Sequence, residues 1–194
     1  MIRDVECISA WMLIDTLHES PLSDSLPLKY TGALAPGGKM IRARKLGHLV
    51  LKVRDAEASK QFYLRTLGLQ VASEDKSKGM VFLSFGKEHH DLALFQMATG
   101  DPPDATQPGL YHMAWQLGSF EELQAAHKEL QGLGILVEAT IQHNVTKSVY
   151  FRDPDGNLVE LYCDRWDKGF EAMQTMGPKS DRLDMETGKL VDAD

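Results

Sequence analysis

One order of structural elements occurs twice in this sequence, and the repeat limits the folds open to the chain. The first copy begins with an apolar strand from Leu46 to Val53 and a helix that opens at Asp55, a favourable N-cap residue. The second copy begins with a strand from Leu110 to Leu117 and a helix that opens at Ser119. Three further strands follow each helix. Because one copy alone leaves a face of its sheet uncovered, we expect the two copies to be stable only together.

Turn residues and shifts in composition divide the chain into five segments. These are an N-terminal helical arm and linker (1–44), a first βαβββ module (45–98), a linker rich in Pro and Gly (99–109), a second βαβββ module (110–165) and a C-terminal tail (166–194). The apolar residues at the start of the tail predict that it packs back on the body. Its polar end, from Lys179 onward, is predicted to fray.

Composition excludes several classes of function. The chain has 194 residues, of which 43% are hydrophobic and 25% charged, and its formal net charge is −7 at pH 7. An acidic chain without a basic stripe argues against nucleic-acid binding and favours a small-molecule or protein partner. No apolar run reaches transmembrane length, which argues against a membrane partner. Two isolated cysteines, Cys7 and Cys163, suit a reducing compartment, so we expect a cytoplasmic protein.

Three polar side chains stand out against the apolar strands. His48 lies in the opening strand of the first module, and His112 occupies the matching position 64 residues later. Strand alternation places both on the face that the helices leave free. Glu160 interrupts the apolar run from Leu158 to Tyr162, after the turn from Asp153 to Asn157. An unpaired buried carboxylate is costly, so Glu160 is a surface residue, half of an ion pair or a metal ligand.

The symmetry of the repeat favours the metal, although a single histidine is more often a hydrogen-bonded structural residue. Two imidazoles and one carboxylate from three strands form a facial triad that leaves metal positions open. The counterpart of Glu160 in the first module falls at Ala93 or Leu94, so we expect three protein ligands rather than four. The predicted fold is α+β, with two paired βαβββ modules forming one open, cupped mixed β-sheet around a metal site and helices on its outer face.

The segments GHLVLKVRDAEASKQFYLRTLGLQV and VYFRDPDGNLVELY resemble the vicinal oxygen chelate superfamily, and the resemblance covers residues 46–163. Within that superfamily, HHDLALF is similar to the type I extradiol ring-cleaving dioxygenases and implies an active-site histidine at His90. Tyr150 matches a tyrosine that those enzymes keep near the catecholate, and His143 resembles a further active-site histidine. Tyr150 also fits an ordinary strand tyrosine, and His143 a surface loop histidine. His89 is interpreted as a solvated neighbour without a role.

The resemblance implies an extradiol dioxygenase that inserts both atoms of O2 into a catechol-type substrate. Its metal would be Fe(II), with Mn(II) as the alternative, held by His48, His112 and Glu160. The common extradiol enzymes contain two module pairs, whereas this chain has one pair and resembles the shorter one-domain members. Exposed module edges and the N-terminal arm favour a homo-oligomer.

Three other functions known in the superfamily stay open. A glyoxalase I-like isomerase or lyase would use four metal ligands, which the strand DLALF does not supply. A fosfomycin-resistance transferase shares a His, His, Glu set with Mn(II) but needs a cationic pocket, for which no basic group is evident beside the site. A non-catalytic drug-binding protein of the bleomycin-resistance kind would need no metal ligands. Bound metal separates the binding protein from the enzymes, and oxygen consumption separates the dioxygenase from the rest.

Overall fold

A computed structural model describes residues 42–102, 104 and 106–191 of the chain. The chain divides between Arg44 and Lys45, and almost all of the described residues belong to the second unit, Lys45–Asp194. The helical arm predicted over residues 1–18, and the linker as far as residue 41, lie outside the described residues. Both modules lie within the second unit.

The first module is a four-stranded mixed sheet with one helix. Its elements are β1 (Leu49–Val53), α1 (Ala56–Leu67), β2 (Gln70–Asp75), β3 (Met80–Ser84) and β4 (Leu92–Gln96). The strand order is β1-β4-β3-β2, in which β1 and β4 are parallel and the other neighbours antiparallel. The N-cap predicted at Asp55 is confirmed, since its carboxylate accepts two backbone N–H groups of the first turn. Gly68 ends α1 with φ +66°, as a C-cap glycine does.

The second module repeats this plan and recruits one strand from the tail. Its elements are β5 (Met113–Leu117), α2 (Phe120–Gly132), β6 (Val137–His143), β7 (Thr146–Arg152) and β8 (Leu158–Asp164), followed in the tail by α3 (Gly169–Met176) and β9 (Ser180–Arg182). The strand order is β5-β8-β7-β6-β9. Ser119 caps α2 by accepting the N–H of Glu122, and the Glu122 carboxylate accepts the N–H of Gly118. Within the described part of the chain, none of the helices has the length and apolar character needed to cross a membrane.

The α+β class and the two paired modules are confirmed, but the strands form two hydrogen-bonded sheets rather than the one continuous sheet predicted. In the ladders among the described residues, β1 pairs only with β4, and β5 only with β8. The modules are joined instead by apolar side chains and by contacts of α1 with the turn between β7 and β8. Packing and side-chain hydrogen bonds therefore replace the expected strand pairing between modules.

One apolar core serves both modules. It contains Val53, Tyr63 and Leu92 from the first module and Phe151 and Val159 from the second, all fully buried. Burying an apolar side chain contributes about 1.5–3 kcal/mol, so separation of the modules would expose much of what stabilises each of them. The shared core agrees with the expectation that the modules are stable only together.

Polar contacts fix how α1 docks on the second module. The Tyr63 hydroxyl, on α1, donates to Asp153 Oδ2 at 2.7 Å. Just before α1, the backbone N–H and side-chain Nε of Arg54 donate to Asp155 Oδ1 at 3.0 and 2.8 Å. Asp153 and Asp155 both belong to the turn between β7 and β8. A charged hydrogen bond in a buried setting is strong and directional, so this turn sets the orientation of the two modules.

The tail is ordered well beyond the point at which we predicted fraying. Strand β9 pairs with β6, and Leu183 and Met185 are buried in the core. The side chain of Gln124, on α2, donates to the Met185 carbonyl at 2.6 Å. The prediction that the chain frays from Lys179 is therefore wrong as far as Val191, because Leu183 and Met185 are buried in the core.

Tyr63→Phe removes the hydroxyl that donates to Asp153 and keeps the buried ring. We expect the free energy of unfolding to fall by about 1.5–3 kcal/mol, the range for a hydrogen bond to a charged group. Urea denaturation followed by circular dichroism measures this change. Tyr162→Phe, the same change at a half-buried tyrosine of β8, is the matched control and should cost less than about 0.5 kcal/mol. Equal losses in the two variants would contradict a docking role for the Tyr63 hydroxyl.

Candidate active site

Glu160 lies in the middle of β8, and its neighbours on both sides explain how a carboxylate can be buried there. Tyr150 is directly opposite on β7, and its hydroxyl donates to Glu160 Oε1 at 2.8 Å. His112 immediately precedes β5, on the other side of β8, and its Nε2 lies 3.0 Å from Glu160 Oε2. The Glu160 side chain is only 8% exposed. Each of its oxygens therefore has a polar partner that offsets the cost of desolvation.

His143, the last residue of β6, extends this network. Its Nε2 lies 3.0 Å from the Tyr150 hydroxyl oxygen. Tyr150 has one hydrogen, which it donates to Glu160, so its oxygen accepts from His143 and the Nε2 of His143 carries a hydrogen. Burial lowers the pKa of His143, while the negative charge of Glu160 opposes that shift. Burial and the nearby carboxylate raise the pKa of Tyr150, which keeps its hydroxyl protonated.

A second group of donors lies on the first module. His48 immediately precedes β1, and His89 and His90 lie near the end of the loop between β3 and β4. One ring nitrogen from each of the three lies within 4.8 Å of the others. The ring centroids of His48 and His90 are 4.2 Å apart. Burial, the largest cause, and the neighbouring His48 lower the pKa of His90.

Asp91 positions the loop that carries His89 and His90. Its carboxylate accepts the Ser84 hydroxyl and the Phe85 N–H, which ties the end of the loop to its beginning. Its backbone carbonyl accepts the N–H of Leu49, the residue after His48. The three imidazoles therefore converge because one aspartate joins the loop to the start of β1.

The structure divides the six predicted site residues between these two groups. The second sheet brings together His112, Glu160, Tyr150 and His143, while His48 and His90 lie with His89 on the first module. Among the described residues, only the three histidines of the first module lie close enough together to bind one metal ion. His48 does not lie at that spacing from His112 and Glu160. Sequence reasoning gave His89 no role, although its place beside His90 in the chain was the available signal.

The strand register shows which residue of the first module is the counterpart of Glu160. Ala93 is opposite Val50 in the first sheet, as Glu160 is opposite Ala114 in the second. Ala93 is thus the counterpart of Glu160, and the first module offers no carboxylate at that position.

The sequence matches the family model of the Glyoxalase/Bleomycin resistance protein/Dioxygenase superfamily over residues 45–161. The chain belongs to this superfamily. It is 34% identical over 142 residues to biphenyl-2,3-diol 1,2-dioxygenase 2 of Rhodococcus globerulus. The aligned region covers 72% of this chain and 74% of that protein. The chain is 38% identical over 124 residues to biphenyl-2,3-diol 1,2-dioxygenase 3 of the same organism, which covers 63% and 64% respectively.

A solved structure of a glyoxalase/dioxygenase from Nostoc punctiforme superposes with a TM-score of 0.55 at 27% identity, covering 69% of this chain and 97% of that one. The predicted resemblance to the vicinal oxygen chelate superfamily is confirmed by these likenesses. The relatives named as dioxygenases support an enzyme of the oxygenase type.

The group that contains Glu160 and the three histidines of the first module differ in the metals that their donor atoms suit. Imidazole combined with carboxylate oxygen suits Fe(II) and Mn(II), whereas three imidazoles suit Zn(II), Cu(II) or Ni(II). Adjacent ligands of a six-coordinate ion with bonds of about 2.1 Å lie about 3.0 Å apart. The Nε2 of His112 and Oε2 of Glu160 are separated by this distance. The buried Nδ1 of His112 has no hydrogen-bond partner among the described residues. His112 and Glu160 therefore offer an imidazole and a carboxylate oxygen at a separation that an ion of the iron or manganese kind would accept.

Metal titration distinguishes the two groups. We expect Mn(II), an air-stable probe for the Fe(II) position, to bind the group that contains Glu160, because that group supplies a carboxylate. Glu160→Gln should then lower Mn(II) affinity at least about tenfold, while His89→Ala leaves it within about twofold. Isothermal titration calorimetry measures both affinities. The opposite ranking of the two variants would place the ion among the three histidines.

Proposed function

We propose that this protein is an extradiol dioxygenase, which opens a catechol-type ring beside its two hydroxyl groups by inserting both atoms of O2. The observation that carries the proposal is the network in which the buried Glu160 and Tyr150 are joined by the partly buried His112 and His143. It combines metal donors with hydrogen-bonding groups on one face of one sheet. The two relatives named biphenyl-2,3-diol dioxygenases support a vicinal aromatic diol as the substrate class.

His112 and Glu160, with His48 from the first module, would hold Fe(II), and Mn(II) is the alternative. His48 lies beside His90 in this structure, so its inclusion rests on its symmetry with His112 and not on a measured contact. If Fe(II) were held by these residues, it would supply the site that brings diol and O2 together and lets electrons pass between them.

The remaining residues act on the protons and charge of the diol. Tyr150 is fixed by its bond to Glu160 and is approached by the Nε2–H of His143, so both side chains are held in place before substrate binds. When Glu160 binds the metal, the Tyr150 hydroxyl can turn from its carboxylate to an oxygen of the ionised diol and stabilise its charge, while the Nε2–H of His143 still donates to the tyrosine oxygen. His90 offers an imidazole that can take up a phenolic proton and return it as the ring opens.

Among the alternative functions, a four-ligand isomerase is disfavoured by one observation. Its fourth donor would come from the first module at the position symmetric with Glu160. That position is occupied by Ala93, which is fully buried and has no ligand atom in its side chain.

Oxygen uptake tests the proposal directly. Protein purified anaerobically and loaded with Fe(II) should consume O2 when given catechol, 3-methylcatechol or 2,3-dihydroxybiphenyl, with a yellow ring-opened product. Glu160→Gln should abolish uptake. Glu138→Gln is the matched control, because Glu138 is a more exposed carboxylate of the same sheet, paired with Arg152 at 2.7 Å. Stoichiometric metal without uptake from any diol would favour an isomerase or transferase, and protein that binds no metal would favour a drug-binding function.

Tyr150→Phe tests the role of the hydroxyl between His143 and Glu160. We expect kcat to fall about a hundredfold, the typical cost of removing one preorganised donor. Tyr162→Phe, on the same sheet, should leave kcat within about twofold. An oxygen electrode at saturating diol measures both values, and equal activity of the two variants would exclude a catalytic role for the Tyr150 hydroxyl.

A further inference from the structure

The tip of the β6–β7 hairpin, residues 143–145, is held by the segment that follows β8. Arg165 donates through one guanidinium nitrogen to the carbonyl oxygens of His143 and Asn144, at 2.8 and 3.0 Å. The backbone N–H of Arg165 donates to the carbonyl of Val145 at 2.9 Å. The indole N–H of Trp166 donates to the Asn144 carbonyl at 2.8 Å. Three consecutive carbonyls of the tip are thus bound by two neighbouring residues.

The segment after α3 holds the same tip through its donor groups. The side-chain amide of Asn144 donates to the carbonyls of Met176 and Gly177, both at 3.1 Å, and its backbone N–H donates to the carbonyl of Lys179 at 3.2 Å. One residue further, the Ser180 hydroxyl lies 2.8 Å from Nδ1 of His143. Both the backbone of the tip and the imidazole ring therefore have partners in the tail.

These contacts act on the one residue of the tip that reaches the candidate site. The β6–β7 ladder ends at the pair Gln142–Lys147, so His143 lies beyond it and is not held by pairing with β7. Its Nε2 nevertheless lies 3.0 Å from the Tyr150 oxygen. Because a hydrogen bond depends steeply on distance and angle, a small rotation of the backbone at His143 would break this bond. The tail, and not strand pairing with β7, therefore restrains His143.

We propose that Arg165, Trp166 and Ser180 are positioning residues that hold the His143 ring in one orientation and one hydrogen-bonded form toward Tyr150. Arg165 and Trp166 act through the backbone of the tip, and Ser180 acts on the far side of the imidazole ring. The effect on catalysis rests on the proposed function, whereas the effect on the ring does not.

The state of the His143 ring is measured by nitrogen-15 NMR of the metal-free protein at one fixed pH, with His143→Gln to assign its signals. In the parent protein we expect shifts typical of a hydrogen resident on Nε2. Ser180→Ala and Trp166→Phe each delete one donor group and keep the chain length and fold. Both should move the His143 nitrogens toward the averaged shifts of a mobile ring, and Ser180→Thr, which restores the hydroxyl, should return them.

Kinetics of the Fe(II)-loaded protein give the second measurement. Arg165→Ala should lower kcat about tenfold, the usual scale for residues that orient a site from outside, with KM changed less than twofold because Arg165 does not touch the diol. Arg182→Ala is the matched control, an exposed arginine of β9 that should leave kcat and the His143 shifts unchanged.

Unchanged His143 shifts in both Ser180→Ala and Trp166→Phe would overturn the proposal, as would a loss in KM alone for Arg165→Ala. If the parent protein turns over no diol, the proposed function fails, and the NMR comparison by itself still decides whether these residues position His143.

Discussion

The arrangement of the two modules depends on the hydrogen bonds that the turn between β7 and β8 makes with the first module. Asp153 accepts the backbone N–H groups of Asp155 and Asn157 with one oxygen, which closes the turn, and the Tyr63 hydroxyl with the other, which docks α1. Asp155 in turn receives Arg54. Two neighbouring carboxylates therefore shape a local turn and join distant parts of the chain. Because β8 leaves this turn and reaches Glu160 three residues later, the same contacts that dock the modules also set where the buried carboxylate lies.

The local parts of the fold were predictable because residues close in sequence decide them. Asp55 and Ser119 cap their helices through groups two or three positions away, and Gly68 ends α1 through its own φ. The number of sheets and the course of the tail depend on packing between distant elements. Leu183 and Met185 are two apolar residues separated by one polar residue, a weak strand-like signal. Only burial in the core shared with distant elements turns that signal into ordered structure.

Much of the candidate site was predictable for the same reason. Alternation along β8 separates Glu160 from the core residues Val159 and Leu161, and pairing across a tight turn puts Tyr150 opposite Glu160. A loop has no such period. The direction of the His89 side chain is set by the loop that Asp91 closes. The distance of His48 from His112 and Glu160 depends on how the two modules dock. Neither can be derived from the spacing of residues along a strand.

In each module the first strand lies beside the last, and this affects the order in which the protein can fold. Leu49 pairs with Leu92 and Met113 with Val159, whereas β2, β3 and β4, like β6, β7 and β8, pair with neighbours in the sequence. Closing long loops costs more entropy than forming hairpins, so we expect the hairpins to assemble first and β1 and β5 to join late. His48 and His112 stand at the entrances of those late strands. With that order, the imidazoles would reach their partners only as each sheet is completed, and a partly folded chain would lack the donor set that we propose for metal binding.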